Sequence, residues 1–419
     1  MDTRPAPVAS PDRHDVIDFL RGCAVLGILV MNIQSFAMPF AVYFNPTALG
    51  PPPPLDFAIW MTSHLFFDQK FMTIFSLLFG AGILLMTTRA EARGGRVIWL
   101  HYRRMFWLLV FGLVHAYLIW YGDILVLYAI CGSIVFLFRR WRPLPLTVTG
   151  LVVLAVSPTL MWLGFASMDS APPEVRQEIV DFWSPSSALV QREIAAFQGG
   201  WLTQLPLRAE FAWGFHSFEI WMWGLWRAGG LMLIGMALLK WGVLTAARPR
   251  DFYPRLFVAG WLLGLPIIIF GVVRMSQAKW EALYSFLIGF SYNYWGSVLV
   301  SLGWIGLFVS LWITGAPGAL AARLAAVGRT AFSCYILTSL ICTFVFYGHG
   351  LGLFGRVGRP GQILLTLIVW TILLTVAPLW LERFRFGPLE WLWRTLTYGE
   401  KPPMRRANAA PRASAGSPA

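Results

Sequence analysis

Apolar runs of roughly twenty residues recur along the chain, separated by short stretches rich in arginine, proline and glycine. A helix needs about 20 such residues to cross a hydrocarbon core of ~30 Å, so each run reads as a membrane span. The uninterrupted runs fall at 16–38, 71–88, 145–166, 217–239, 256–273, 286–312, 330–347 and 361–381. One longer tract, 105–138, would measure ~50 Å as a single helix and has to turn. Its turn signal is Tyr121-Gly122-Asp123, which gives helices over 105–120 and 124–138. The pattern therefore predicts an all-α, polytopic transmembrane helical bundle of about ten spans in one domain over 15–399.

The first run is longer than the apolar core of a signal peptide and no small-x-small cleavage site follows it, so it is expected to stay as a membrane helix. The proline run at 51–54 marks an extended outer loop, and 55–68 reads as a separate helix or re-entrant piece before the next span. An outer insertion at about 167–216 carries polar helical pieces such as PPEVRQEIVDFW. After the last span, 387–398 is amphipathic with Trp391 and Trp393 and is expected to lie along the inner interface. Residues 1–14 and the basic tail 400–419 read as disordered or solvated. No convincing internal repeat is found, which weakens a transporter built from inverted halves.

Composition agrees with that architecture. The chain is 57% hydrophobic and 13% charged, with a mean hydropathy of +0.63, outside the range of soluble domains. Its formal charge of +13 follows topology, because Lys and Arg cluster in alternate connections at 89–104, 139–142, 240–255 and 383–406. By the positive-inside rule those loops and both termini are cytoplasmic. No basic stripe with interleaved aromatic residues stands apart from these loops, so no nucleic acid is expected as a partner; the lipid bilayer is. Cys23, Cys131, Cys334 and Cys342 all fall within apolar runs without a C-x-x-C pair, as packing thiols do, and no metal site is expected. The chain has no G-x-S-x-G, H-E-x-x-H, Walker A or dinucleotide fingerprint.

Ionisable groups inside spans cost a few kcal/mol each and are functional candidates by default. In IDFLRGCAVLGILVMNIQSF, helical spacing puts Asp18, Arg21 and Asn32 on one stripe with Ser35 nearby, facing the bundle interior. Asp18 and Arg21 also suit an interfacial salt bridge, and Asn32 an interhelical hydrogen bond. In DQKFMTIFSLLFGAG, Lys70 enters at the outer end, where its stem can snorkel. Ser76, Gly80 and Gly82 point to a close helix contact, and His64 lies in the preceding piece. In HAYLIWYGDIL, His115 lies about 16 Å along its helix, near mid-membrane, and Asp123 sits at the outer turn. There Asp123 is open to two readings, a helix cap or the carboxylate partner of the imidazole. Near the C-terminus Arg329 starts a helix at the inner side, and Tyr335 and Ser339 share a face. His115 and Asp123 are thus the candidate catalytic pair, and Asp18, Arg21, Asn32, Lys70, Arg329, Tyr335 and Ser339 the candidate substrate-binding set.

Through these segments, and through GRTAFSCYILTSLICTFVFYGHGLGLF and GPLEWLWRTLTYG, the chain resembles over nearly its whole length the YeiB-like family of bacterial inner-membrane proteins of unknown function. That family resembles a wider transmembrane acyltransferase superfamily, whose D-x-x-R-G first-helix element is matched by Asp18, Arg21 and Gly22. The resemblance implies a multi-pass inner-membrane protein, with acyl-CoA as donor substrate, a small-molecule acceptor and Arg21 on the donor side. It leaves the base open between His64 and His115. Two function classes follow: transfer of an acyl group from cytoplasmic acyl-CoA to an acceptor hydroxyl at the outer side, or permeation of a small anionic solute or proton along the same polar groups.

Overall fold

Backbone groups at bilayer depth have to be satisfied within their own segment, and the apolar runs accordingly fold as helices. The computed structural model describes residues 15–406; the N-terminal stretch 1–14 and residues 407–419 of the basic tail lie outside the described residues. In order the helices are α1 (Asp15–Ala37), α2 (Ala41–Phe44), α3 (Pro54–Phe66), α4 (Lys70–Ala92), α5 (Val97–Val114) and α6 (Leu125–Val135). Then come α7 (Pro143–Ser167), α8 (Pro173–Trp183), α9 (Ser187–Gln198), α10 (Trp201–Gly214), α11 (Leu225–Lys240) and α12 (Phe252–Gln277). The last are α13 (Ala282–Tyr284), α14 (Phe290–Thr314), α15 (Ala319–Arg329), α16 (Ala331–Phe346), α17 (Arg359–Arg383) and α18 (Pro388–Tyr398). Among the described residues, three π-helical stretches, His115–Ile119, Phe215–Gly224 and Ser285–Gly289, interrupt the α-helical ladder.

Among the described residues, eight helical segments are long and apolar enough to cross a membrane, and a bent pair makes nine. The shorter apolar helix Leu125–Phe138 supplies the tenth apolar segment that the sequence pattern marks. The bent pair is α15 and α16, which meet at 86° where the sequence places a single helix start at Arg329. The pattern also places the start of the 217–239 run too late. The helical segment runs from Trp201 to Lys240 through a π-helical stretch, so α10 belongs to a span as much as to the insertion.

α1 is the axis of the bundle: 83% of its apolar window is buried, against 22% for the peripheral α17. It packs on α4, α15, α16 and α17. Its crossing with α15 depends on two glycines. A Cβ at Gly22 would run into the Leu324 carbonyl, and one at Gly328 into the Asp18 carbonyl. The glycine of the D-x-x-R-G element therefore serves contact between two backbones. Gly80 and Gly235 play the same part between α4 and α11, where a Cβ would strike the backbone of Met232 or Leu77. Gly82, two residues along α4, has nothing within 4 Å of its Cβ direction. All four cysteines are buried and free.

One end of the bundle is covered by α8 and α9. The side-chain amide of Asn45 donates to the Trp183 carbonyl at 3.0 Å, and Trp183 Nε1 donates to the Trp280 carbonyl at 2.7 Å. Gln198 Nε2 donates to the Phe354 carbonyl at 2.8 Å, and the Gly348 N–H to that of Phe197 at 2.8 Å. At Phe40, the N–H donates to Glu193 Oε1 at 2.9 Å. At the opposite, arginine-rich end, α18 seals the start of α16, with Glu390 accepting from the Phe332 and Ser333 N–H groups at 2.7 and 3.1 Å.

Two predictions follow from this packing. Gly22→Ala forces α1 and α15 apart and should cost about 1–3 kcal/mol, read as a lowered thermal midpoint in detergent. Burial pushes the Glu193 carboxyl up to about 8 against 4.5, with the Phe40 N–H offsetting part of the rise. The folded state then holds a proton that the unfolded chain releases, so stability is highest below about 4.5 and falls as pH rises toward about 8. Glu193→Gln should flatten that slope in melts across the same window; a slope that is unchanged rejects the assignment.

Candidate active site

A cavity of about 550 Å³ runs through the bundle. At one end its wall carries Arg21, Arg89, Arg93, Arg104, Arg329 and Arg394, and elsewhere it carries the aromatic groups Tyr43, Phe44, Phe286 and Phe290. Between them are two imidazole–carboxylate pairs, each built by a local break in a helix.

The first pair lies where α5 gives way to the π-helical turn His115–Ile119 and the chain reverses through 120–123 into α6. The reversal places Asp123 beside His115. Nδ1 of His115 is 2.9 Å from Asp123 Oδ1, and the two side chains are essentially inaccessible to solvent, at 1% and 0%. The other oxygen, Oδ2, accepts the Val126 N–H at 2.8 Å. One carboxylate thus performs both tasks that the sequence leaves as alternatives, capping the first turn of α6 and orienting the imidazole. Gly112 makes the room, because a Cβ there would press on the Val126 backbone and lie 3.0 Å from Asp123 Oδ2. On the far side of the ring, Nε2 is 3.0 Å from Ser339 Oγ on α16. An ionised Asp123 can only accept, which assigns the ring hydrogen to Nδ1 and leaves Nε2 to accept from the serine. Ser339 and Asp123 line the cavity, and His115 lies behind them.

The second pair joins α3 to the turn before α4. His64 Nδ1 lies 2.9 Å from Asp68 Oδ2, and the ring stacks on Trp60 with centroids 4.9 Å apart at 11°. Asp68 also accepts from Asn293 Nδ2 at 2.7 Å, and Lys70 Nζ donates to Asn293 Oδ1 at 2.7 Å and to the His64 carbonyl at 2.5 Å. The turn between the helices puts Gln69 in the left-handed region, at φ 64. His64 Nε2 is buried with no protein partner, and His64, Asp68 and Gln69 all face the cavity. Behind this pair, the buried Arg227 donates to Thr73 Oγ1, Ser297 Oγ and the Tyr294 carbonyl at 2.9, 2.7 and 2.9 Å.

The cavity collects most of the residues singled out in the sequence. Asp18, Arg21, Asn32, Asp123, Arg329, Tyr335 and Ser339 line it. Asp18 and Arg21 pair at 2.8 Å, and Arg21 also reaches the Gly328 carbonyl at 3.4 Å. Tyr335 donates to the Gly122 carbonyl at 3.3 Å, tying α16 to the turn beside Asp123. Lys70 differs from its sequence reading: it is fully buried, turned inward to Asn293, and neither snorkels nor lines the cavity. Sequence reasoning passes over Arg227, Asn293 and Glu219, the last of which lines the cavity. Their signal is present in LWRAGG, SYNYWG and FHSFEIW, where a charged or amide side chain interrupts an apolar run.

The stretch 238–400 matches the family described as Protein of unknown function (DUF418). The chain is 30% identical over 411 residues to the uncharacterised protein YxaH of Bacillus subtilis (strain 168), an alignment covering 94% of this chain and 96% of that protein. It is 32% identical over 391 residues to the uncharacterised protein YeiB of Escherichia coli (strain K12), covering 92% and 96%. Similarity over more than nine-tenths of both chains places this one in the YeiB-like family of proteins of unknown function.

Proposed function

We propose that this protein is a membrane-bound acyltransferase, taking an acyl group from acyl-CoA at its arginine-rich end and passing it to an acceptor hydroxyl admitted from the opposite end. It works in the bacterial inner membrane with both termini and the arginine-rich end facing the cytoplasm. Its partners are the lipid bilayer, the small-molecule donor and the acceptor. The observation that carries this reading is His64: a carboxylate fixes Nδ1, and Nε2 is buried, without a protein partner, in the wall of the cavity that also holds the arginines.

A donor that bears phosphates suits guanidinium groups, which bind phosphate through paired hydrogen bonds. An acceptor hydroxyl suits His64, because a neutral imidazole with its hydrogen held on Nδ1 presents a lone pair on Nε2 to take the proton. His115 is arranged differently, since its Nε2 already holds Ser339, so its base function is directed at that hydroxyl. Asp68 and Asp123 orient the two rings. Arg21, Arg329 and Asn32 contact the donor, and Tyr335 holds the turn beside Asp123. Lys70 acts from behind through Asn293 and the His64 carbonyl.

The competing reading, permeation of an anionic solute or proton, uses the same cavity and differs in producing no covalent change. Membrane vesicles enriched in the protein and supplied with labelled acetyl-CoA separate the two. Transfer predicts label in a new ester product, with His64→Gln lowering the rate on the order of a hundredfold or more while the thermal midpoint holds. Flux of label without product, or full transfer in His64→Gln, rejects this assignment.

A further inference from the structure

The contact between His115 and Ser339 has the layout of an activated serine. Asp123 Oδ1 holds Nδ1 at 2.9 Å, and Nε2 faces Ser339 Oγ at 3.0 Å. The serine has one other acceptor for its hydrogen, the Tyr335 carbonyl at 3.3 Å, one helical turn back. A carboxylate, an imidazole and a hydroxyl in this order make the hydroxyl oxygen nucleophilic when its proton passes to the ring. Two features distinguish the array from a buried hydrogen bond that only packs helices. Ser339 faces the cavity while the ring lies behind it, so the serine is the ring's route to anything bound there. The three groups also come from separate elements, the π-helical turn after α5, the turn before α6 and the middle of α16, and the first two are held by backbone contacts: Trp120 N–H to the His115 carbonyl and Val126 N–H to Asp123.

We infer that Ser339 is a nucleophile that carries the acyl group as an ester between donor and acceptor, an inference that rests on the acyl-transfer reading above. In the first half-reaction, Ser339 Oγ bonds to the thioester carbonyl carbon, its proton moves to His115 Nε2, and the carbon–sulfur bond breaks. The thiolate leaves toward the arginine-rich end and takes a proton from water there. In the second, the acceptor oxygen bonds to the same carbon and gives its proton to His64 Nε2. The bond from carbon to Ser339 Oγ then breaks, and the serine recovers its proton from His115. The two histidines thus serve separate halves of one reaction, and the proton on His64 returns to water.

The test uses the full-length protein in detergent with labelled acetyl-CoA and no acceptor. The expected result is one acetyl group on Ser339, located by peptide mass spectrometry, absent in Ser339→Ala and His115→Ala. In Ser339→Cys the acetyl group is held as a thioester that neutral hydroxylamine releases. Transfer to acceptor in vesicles should fall on the order of a thousandfold in Ser339→Ala, measured on protein that still melts cooperatively. An alkyl fluorophosphonate, which needs no thioester, provides the independent arm. Labelling of Ser339 that is lost in His115→Ala, in a protein that transfers nothing from acetyl-CoA, keeps the nucleophile and removes the donor. Transfer that persists in Ser339→Ala, with Ser339 unlabelled by either reagent, overturns the inference and leaves the transferase reading in place.

Discussion

A carboxylate taken out of water has to find donors for its oxygens, and in this fold Asp123 finds them in the His115 imidazole and the Val126 backbone N–H. Burying such a charge unpaired would cost several kcal/mol, so its donors constrain everything around them. The reversal at 120–123, the π-helical turn that re-aims His115 and the absence of a side chain at Gly112 are the local conditions that let both donors reach it. Ser339 completes the set from the other side of the ring, which fixes α16 against α5. Asp68 repeats the pattern between α3 and α4, with the donors His64 and Asn293. Both carboxylates take two donors, and each sits at a break between helices.

The overall fold was legible because a span is a local property of composition and length. The apolar runs and the turn at 121–123 mark the same segments that the structure shows as helices, and two of the basic clusters, through Arg89, Arg93, Arg104 and Arg394, reach the cavity wall. The bend between α15 and α16 was not legible. α15 is an eleven-residue amphipathic helix, too short to read as a span, and it is held by the crossing of Gly22 with Gly328, 306 positions apart in the chain. The site divides the same way. His115 and Asp123 are eight positions apart across a visible turn, so their pairing could be read. The contact between His115 and Ser339 spans 224 positions and depends on how helices stack. Lys70 misled for the same reason: near a span end a lysine ordinarily snorkels, whereas Asn293 on α14 and the His64 carbonyl hold it inward.

The two imidazoles are chemically alike and differently occupied. Each has Nδ1 against a carboxylate, and what separates them is the remaining nitrogen, held by a hydroxyl in one and buried without a protein partner in the other. Low-dielectric surroundings strengthen both pairs relative to the same contacts in water, so small differences in what faces Nε2 translate into different chemistry. Arg227, set behind Asp68 and bonded to Thr73, Ser297 and the Tyr294 carbonyl, places a fixed positive group near one pair.

Two glycines on α4 have opposite relations to the space around them. Gly80 touches the α11 backbone, whereas Gly82 borders the cavity with nothing within 4 Å of where its side chain would begin. Any residue larger than glycine at 80 disturbs the bundle, while one at 82 extends only into the chamber. Position 82 can therefore take a side chain that narrows the chamber while leaving the contact between α4 and α11 intact, so the room inside can be reduced through a single codon.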